Sequence, residues 1–256
     1  MSDLYDVPAR VTEGSPNPIT DLATYRRIAA EAQADPDRFW LDITRTQIAW
    51  RTPPTIGLSG SFLDIASGPI RWFEDGSLNI TESCLDRHVG PRGDKVAILW
   101  EGDDPSQVRK ITYGELKGLV SKAANMLKGL GVAKGDRVAM VATDSAAYVE
   151  TMLACMKLGA TYVPLNNRLA PSELLTLLRR AEPRMLFVSA RYLESTRPLL
   201  EQVAGLDLLV DFDQTTGPEG FEALVAEGED VEVGALLGAI TEGKGAPAAA
   251  KPRPTP

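Results

Sequence analysis

From Lys95 onward the apolar positions change period in alternation. Five short runs, Val96–Trp100, Arg137–Ala142, Thr161–Leu165, Met185–Ser189 and Leu206–Val210, are almost continuously apolar. Runs of that length and continuity predict strands buried on both faces. Between them the apolar residues recur every three or four positions, the period of an amphipathic helix. Thr112-Tyr113-Gly114-Glu115 has capping-box spacing, and Leu116, Leu119, Val120, Ala123 and Leu127 then form one stripe. That helix closes at Gly129 or Gly131. Asp144 is placed to cap a helix from Ser145 to Leu158, closed by Gly159. Pro171 opens a helix that ends before Pro183, and a further helix lies near Tyr192–Val203. Strand–helix alternation with short connections predicts an α/β fold: a mainly parallel sheet with helices on both faces. Val96–Trp100, Arg137–Ala142, Thr161–Leu165 and Met185–Ser189 are expected among its strands.

Ahead of this region the pattern is different. Residues 1–19 hold three prolines and little periodicity, and read as an extended arm. Thr20 is placed to cap a helix carrying Leu22, Tyr25, Ile28, Ala29 and Ala32. Asp35-Pro36 ends it and opens a second short helix through Phe39-Trp40-Leu41. Residues 51–69 are rich in Pro, Gly and Ser and read as a surface loop. Ile70–Phe73 is a short strand and Glu74-Asp75-Gly76 a turn. Asn79 caps a helix running to about His88. The organisation is therefore an arm (1–19), a helical and loop cap (20–94), an α/β region (95–233) and a tail (234–256). The last residues, GKGAPAAAKPRPTP, are low in complexity and expected to be disordered.

Composition narrows the function classes. The net charge of −8 argues against nucleic acid or an anionic membrane surface as the main partner. Cys84 and Cys155 sit in apolar or helical patterns and read as reduced core residues. No basic-then-apolar leader opens the chain, and no apolar stretch is long enough to span a membrane, so the expected compartment is the cytoplasm. One histidine and no CxxC pair make a zinc site unexpected.

Residues 70–115, IRWFEDGSLNITESCLDRHVGPRGDKVAILWEGDDPSQVRKITYGE, resemble the acetyl- and propionyl-CoA synthetase family. The segments WFEDGSLN, SCLDRH, ILWEGDDPSQ and ITYGEL follow that family's order, and DPDRFW upstream is similar to its N-terminal cap. Residues 145–195, with ACMKLGATYVPLNNRLAPSELLTLL, are closer to the fatty-acyl- and aryl-CoA ligase branch of the adenylate-forming superfamily. Where acetyl-CoA synthetases carry a Phe-Gly-Gly turn, this chain has Leu165-Asn166-Asn167-Arg168. The fold implied is the N-terminal part of an adenylate-forming ligase.

The resemblance implies a two-step ligase: a carboxylate and ATP give an acyl-adenylate, and CoA then displaces AMP. ATP, Mg²⁺ and CoA are the implied cofactors of a full-length enzyme, and a small carboxylate, acetate first, its substrate. The family's phosphate loop, aromatic-Thr-Glu segment and C-terminal lysine are not found in this sequence. The nearest substitute is Gly238–Gly245, which nearly fits GxxxxGK[ST] but puts Gly245 where a hydroxyl belongs. The family's two CoA-phosphate arginines, spaced i and i+3, fall here on Glu194 and Arg197. Arg197 and Arg191 are the candidate CoA-phosphate contacts; the alternative is that both are solvated helix-face charges. His88 is read as closing a helix against its dipole rather than as a base, and Trp72 and Phe73 as packing between cap and sheet. Two readings follow: a ligase cut before its catalytic motifs and inactive alone, whose partners are a missing C-terminal half or another copy, or a non-catalytic ligase-like binding module or part of a split ligase.

Overall fold

A computed structural model describes residues 19, 21–61, 63, 68–206 and 208–211. The arm up to residue 18, the tail and Gly238–Gly245 lie outside those residues. The chain divides into two units, one ending at Ser77 and one beginning at Leu78.

In the first unit, helix α1 (Leu22–Ala34) is capped by Asp21, not by Thr20. The Asp21 carboxylate accepts from the Thr24 amide (2.7 Å) and hydroxyl (2.9 Å), because only from that position can a side chain reach the third residue of a helix starting at Leu22. Asp35 ends α1 and caps α2 (Pro36–Gln47) by accepting from the Arg38 amide at 3.0 Å. No residue of α1 is buried, and α2 buries only Leu41 and Thr44. The segment read as loop contains two short strands, β1 (Trp50–Thr52) and β2 (Leu58–Ser59). β2 pairs antiparallel with β3 (Arg71–Trp72), the shortened form of the Ile70–Phe73 strand, and β1 pairs with β4 (Ser77–Leu78).

Carboxylates hold this unit together. Asp37 accepts from the amides of Gly57 and Leu58, both at 2.8 Å. Asp75 accepts from the Thr55 amide (2.8 Å), the Thr55 hydroxyl (2.5 Å) and the Ile56 amide (3.2 Å). Trp72 meets Trp40 edge-on at 6.5 Å and tilts against Phe73 at 5.7 Å, while Phe73 meets Trp50 at 5.8 Å. The ring partners of Trp72 and Phe73 thus belong to their own unit. Gly76 is required there, since a Cβ would fall 2.8 Å from Trp50 Cζ3.

The second unit opens with Asn79, which does act as a cap: its oxygen accepts from the amide (3.1 Å) and hydroxyl (2.8 Å) of Thr81. The helix does not stop at His88. A π turn (Glu82–Asp86) leads into α3 (Arg87–Arg92), so His88 lies inside helical structure and the C-terminal dipole argument fails for it. Cys84 lies in the π turn and is exposed, contrary to the expectation of a core thiol.

Strand β5 (Val96–Glu101) forms as expected but outside the parallel sheet. It pairs antiparallel with β6 (Val108–Thr112) in a two-stranded sheet of its own. The reason is the turn between them. Gly102 N donates to Gln107 O at 2.8 Å and Asp104 accepts from the Ser106 amide at 2.9 Å, so the chain reverses in a space too short for a parallel crossover. Helix α4 (Tyr113–Gly129) follows, with its capping box complete: Glu115 N bonds Thr112 Oγ1 at 3.2 Å and Glu115 Oε2 accepts from Thr112 N at 2.8 Å.

The remaining elements are β7 (Arg137–Val141), α5 (Ala146–Leu158), β8 (Thr161–Pro164), α6 (Pro171–Ala181), β9 (Met185–Val188), α7 (Ala190–Leu200) and β10 (Leu208–Asp211). The four strands form one parallel sheet in the order β10-β9-β7-β8. The cap of α5 is Ser145, one residue beyond Asp144, because the amide within reach is that of Tyr148 (3.2 Å). The strand pleat sorts the core onto two faces. Val138, Met140, Met185 and Phe187 pack with buried residues of α4 and α5. Ala139, Val141, Leu186 and Val188 pack with Leu174 and Leu178 of α6 and Leu199 of α7. This is the expected sheet with helices on both faces.

Candidate functional site

The strand order reverses once. The chain leaves β7 for β8 on one side and then crosses to β9 on the other. In open α/β sheets the crevice outside the carboxyl ends of the strands at such a reversal is the usual ligand site. Here it lies beyond β7 and β9, where Ala142-Thr143-Asp144-Ser145 and Ser189-Ala190-Arg191 leave the sheet.

Side chains set the shape of this rim. Ser189 is fully buried and precedes α7, yet its hydroxyl does not cap that helix. It accepts instead from the Thr143 amide at 3.1 Å and lies 3.4 Å from the Thr143 hydroxyl, joining the ends of β9 and β7. Asn167 donates through Nδ2 to Ala142 O at 2.8 Å, drawing the segment after β8 to the same rim. Asn166 accepts from the Arg168 amide at 2.9 Å, which closes the turn. Asp144 is exposed, and its carbonyl accepts from Trp100 Nε1 at 3.2 Å. The result is a polar rim fixed by hydroxyl and amide bridges, with helices α5 and α7 starting from it. Helix N-termini favour anions.

Of the two candidate arginines, Arg191 lies at the crevice end of α7. It is exposed, and its guanidinium sits 5.3 Å from the centre of the Tyr192 ring. Arg197 lies in the last turn, also exposed. A step of six helical residues sets them about 9 Å apart along the axis and about 120° around it. The structure therefore does not bring them together on one phosphate. Glu194 and Arg197, at i and i+3, share a face.

His88 is partly buried and meets the Tyr113 ring edge-on at 5.3 Å. Desolvation, then Arg92 and Arg87, hold its pKa below the usual imidazole range. Burial pushes the Cys155 thiol up to about 12, which makes it inert packing. Among the described residues no group of three or more His, Cys, Asp or Glu is placed to hold a metal ion. No described helix is long and apolar enough to cross a membrane.

Ser189 and Thr143 escaped the sequence reading, since which strand ends meet depends on strand order. Asn167 stood out only as a departure from Phe-Gly-Gly.

Comparison with known proteins fits this geometry. A family model described as acetyl-coenzyme A synthetase N-terminus matches residues 25–84, and one described as AMP-binding enzyme matches residues 85–253. An acetyl-coenzyme A synthetase of Novosphingobium aromaticivorans is 35% identical over 239 residues, spanning 90% of this chain and 35% of that protein. One from Magnetococcus marinus is 38% identical over 189 residues, spanning 74% and 29%. An anthranilate CoA ligase solved in complex with anthranoyl-AMP superposes with a TM-score of 0.53 at 26% identity, over 59% of this chain and 28% of that one. The chain thus spans about a third of the length of the curated relatives it matches. With more than half of its residues inside the second match, behind the synthetase-type N-terminus, the chain belongs to the AMP-binding enzyme family.

Proposed function

We propose that this chain forms the cap and first α/β portion of an ATP-dependent acid–CoA ligase of the acetyl-CoA synthetase type. Such an enzyme turns a small carboxylate, acetate in the first instance, into an acyl-adenylate and then an acyl-CoA. The observation that carries the reading is the pair of family matches, adjacent and in order, over residues 25–253. The same reading takes the location to be cytoplasmic.

Within the chain, the proposed role of the crevice is to receive the nucleotide phosphates of CoA. Arg191 stands at its edge, and the Ser189–Thr143 and Asn167–Ala142 bridges keep the strand ends in place. In this reading Arg197, in the last turn of α7, serves as a helix-face cation and Arg191 makes the phosphate contact. By its resemblance, the reading leaves the ATP phosphates and Mg²⁺ to the family's phosphate loop and the segments around it.

The test has two arms. CoA is titrated into the 256-residue chain by calorimetry. Acetate-dependent ATP–pyrophosphate exchange is measured for the chain alone and for the chain joined to the remainder of the Novosphingobium relative. We expect CoA binding by both and exchange only by the joined protein. Exchange by the chain alone would revive Gly238–Gly245 as a phosphate loop. A folded joined protein without exchange for any short acid would reject the ligase reading. CoA binding that persists there would then favour a binding module.

A further inference from the structure

The apolar runs of β5, β7 and β9 all read as strands covered on both faces. In β7 and β9 that holds: every residue but Arg137 is buried. In β5 not one of the residues Val96–Glu101 is. The shortfall lies on one face of the β5–β6 hairpin. Ile98 stands opposite Ile111, and both pack inward with Leu85, Leu116 and Val120. Arg109, opposite Trp100, turns to the same side, where it reaches Glu150 at 3.8 Å. Leu99, opposite Lys110, and Val108, opposite Glu101, therefore point outward, since alternate residues of a strand take opposite faces. The register shift between Val96 and Ile98 returns Val96, opposite Thr112, to the outer face. Val96 is 42% exposed, Leu99 63% and Val108 46%.

We infer that this outer face of the hairpin is the docking surface for the downstream remainder of the ligase chain, the part of the relatives' length that this chain does not span. The identity of that segment rests on the ligase reading; its place on the hairpin does not. Single exposed apolar residues are ordinary on protein surfaces, and Lys110 and Glu101 discourage edge pairing. Neither explains three apolar residues gathered on the back of a strand whose front is already packed. A two-stranded hairpin is also marginal without further cover.

Length and charge choose the occupant. This chain makes up 35% of the Novosphingobium relative, so most of such a protein lies outside it. A second copy fits less well. Lys110 stands in the middle of the face, beside Leu99 and between Val108 and Thr112. Two-fold pairing through this patch would bring the same lysine from both copies together. Lys110 has no ion-pair partner among the described residues. The covering segment is thus an apolar surface that brings an acid to Lys110.

Thiol accessibility tests the cover without reference to activity. Leu99→Cys and, at the polar hairpin tip, Asp103→Cys are made in a Cys84→Ser background, because Cys84 is exposed and Cys155 buried. Each is treated with a water-soluble disulfide reagent, as the 256-residue chain and as that chain joined to the remainder of the Novosphingobium relative. The thiol at position 99 should react fast in the chain alone, at every protein concentration, and at least about tenfold more slowly in the joined protein. The thiol at position 103 should react alike in both. Leu99→Asp should leave the unfolding midpoint of the chain alone in place and lower that of the joined protein. Slow or concentration-dependent reaction at position 99 in the chain alone would assign the face to the chain's own residues 212–256 or to a second copy, and overturn the inference. Equal slowing at position 103, or an unchanged midpoint for the joined Leu99→Asp protein, would also overturn it. Undiminished reaction at position 99 in a joined protein that catalyses acetate-dependent exchange would sink the inference and leave the ligase reading intact. Shielding of position 99 in a folded joined protein without exchange would uphold the docking surface while the ligase reading fails.

Discussion

The two units are built on different physics. The second buries complete side chains from both faces of its sheet: Val138, Met140, Leu186, Phe187 and Val188 are all inaccessible to solvent. The first buries almost none. Leu22 and Tyr25 of its first helix are more than half exposed, and its cohesion comes from Asp37, Asp75 and Glu74 accepting hydrogen bonds and from a chain of five aromatic rings, Phe39, Trp40, Trp72, Phe73 and Trp50, in edge-on and tilted contact. Burial of apolar area is insensitive to pH and to single polar groups. A carboxylate network depends on each acceptor and on its charge. Stability of the two units should therefore respond to different perturbations.

The largest effect is expected in the second unit. Phe187→Ala removes the largest fully buried side chain, at the centre of β9, and should cost about 3–5 kcal/mol in urea unfolding followed by far-ultraviolet circular dichroism. A loss below about 1 kcal/mol would mean the sheet core tolerates a cavity, and the contrast would collapse. Next, Asp37→Ala leaves the Gly57 and Leu58 amides without their acceptor and should cost the first unit about 1–3 kcal/mol. Three of the four tryptophans, Trp40, Trp50 and Trp72, lie in that unit, so tryptophan fluorescence should register the change.

Acid should separate the units in the same way. The Ser59 hydroxyl, then Arg71, hold the Glu74 pKa down, and the Thr55 hydroxyl and amide do so for Asp75. A folded pKa below the unfolded one gives stability that is complete above the unfolded value, near 4, and lost as pH falls through the folded value. Fluorescence should therefore change below about pH 4 before circular dichroism does. Coincident transitions would show that the carboxylates do not govern the first unit.

This difference also explains what could be read from sequence. Val138–Val141 and Met185–Val188 announce themselves because burial on both faces demands uninterrupted apolar runs. Tyr113–Gly129 does so because Thr112 and Glu115 encode its start. Val108–Thr112 was missed because β6 buries only Ile111. Asp37 reaching Gly57, twenty residues on, has no periodic signal at all. The crevice shares that illegibility. Arg191 was visible as a residue type, but Ser189 and Thr143 become neighbours only once β9 is laid beside β7.

A middle-sized effect tests a local device inside the well-packed unit. Thr112→Ala removes one half of the capping box of α4 and should cost about 1 kcal/mol. Restoring a cap with Thr112→Ser should recover most of it. Equal loss for both variants would place the contribution in the Thr112 methyl group rather than in its hydroxyl.

The smallest expected change in stability concerns the arginines, and it shows whether structure and proposed function sit on separate residues in the second unit. Arg191 and Arg197 are both exposed, and neither carries a carboxylate partner among the described ion pairs. The ring contact of Arg191 with Tyr192 is a surface one and adds little. Replacing either by glutamine should shift unfolding by less than about 0.5 kcal/mol. The difference that matters for the crevice is their place on α7: Arg191 is in the first turn, beside the crevice, and Arg197 in the last. If the crevice takes CoA phosphate, Arg191→Gln should weaken CoA binding about tenfold while Arg197→Gln leaves it unchanged, since one charge-assisted contact is lost in the first case and none in the second. Equal losses in both would mean that affinity follows the overall charge of α7 rather than position. The ionic-strength dependence would then be the same for the two variants, whereas a localised contact lowers it for Arg191→Gln alone.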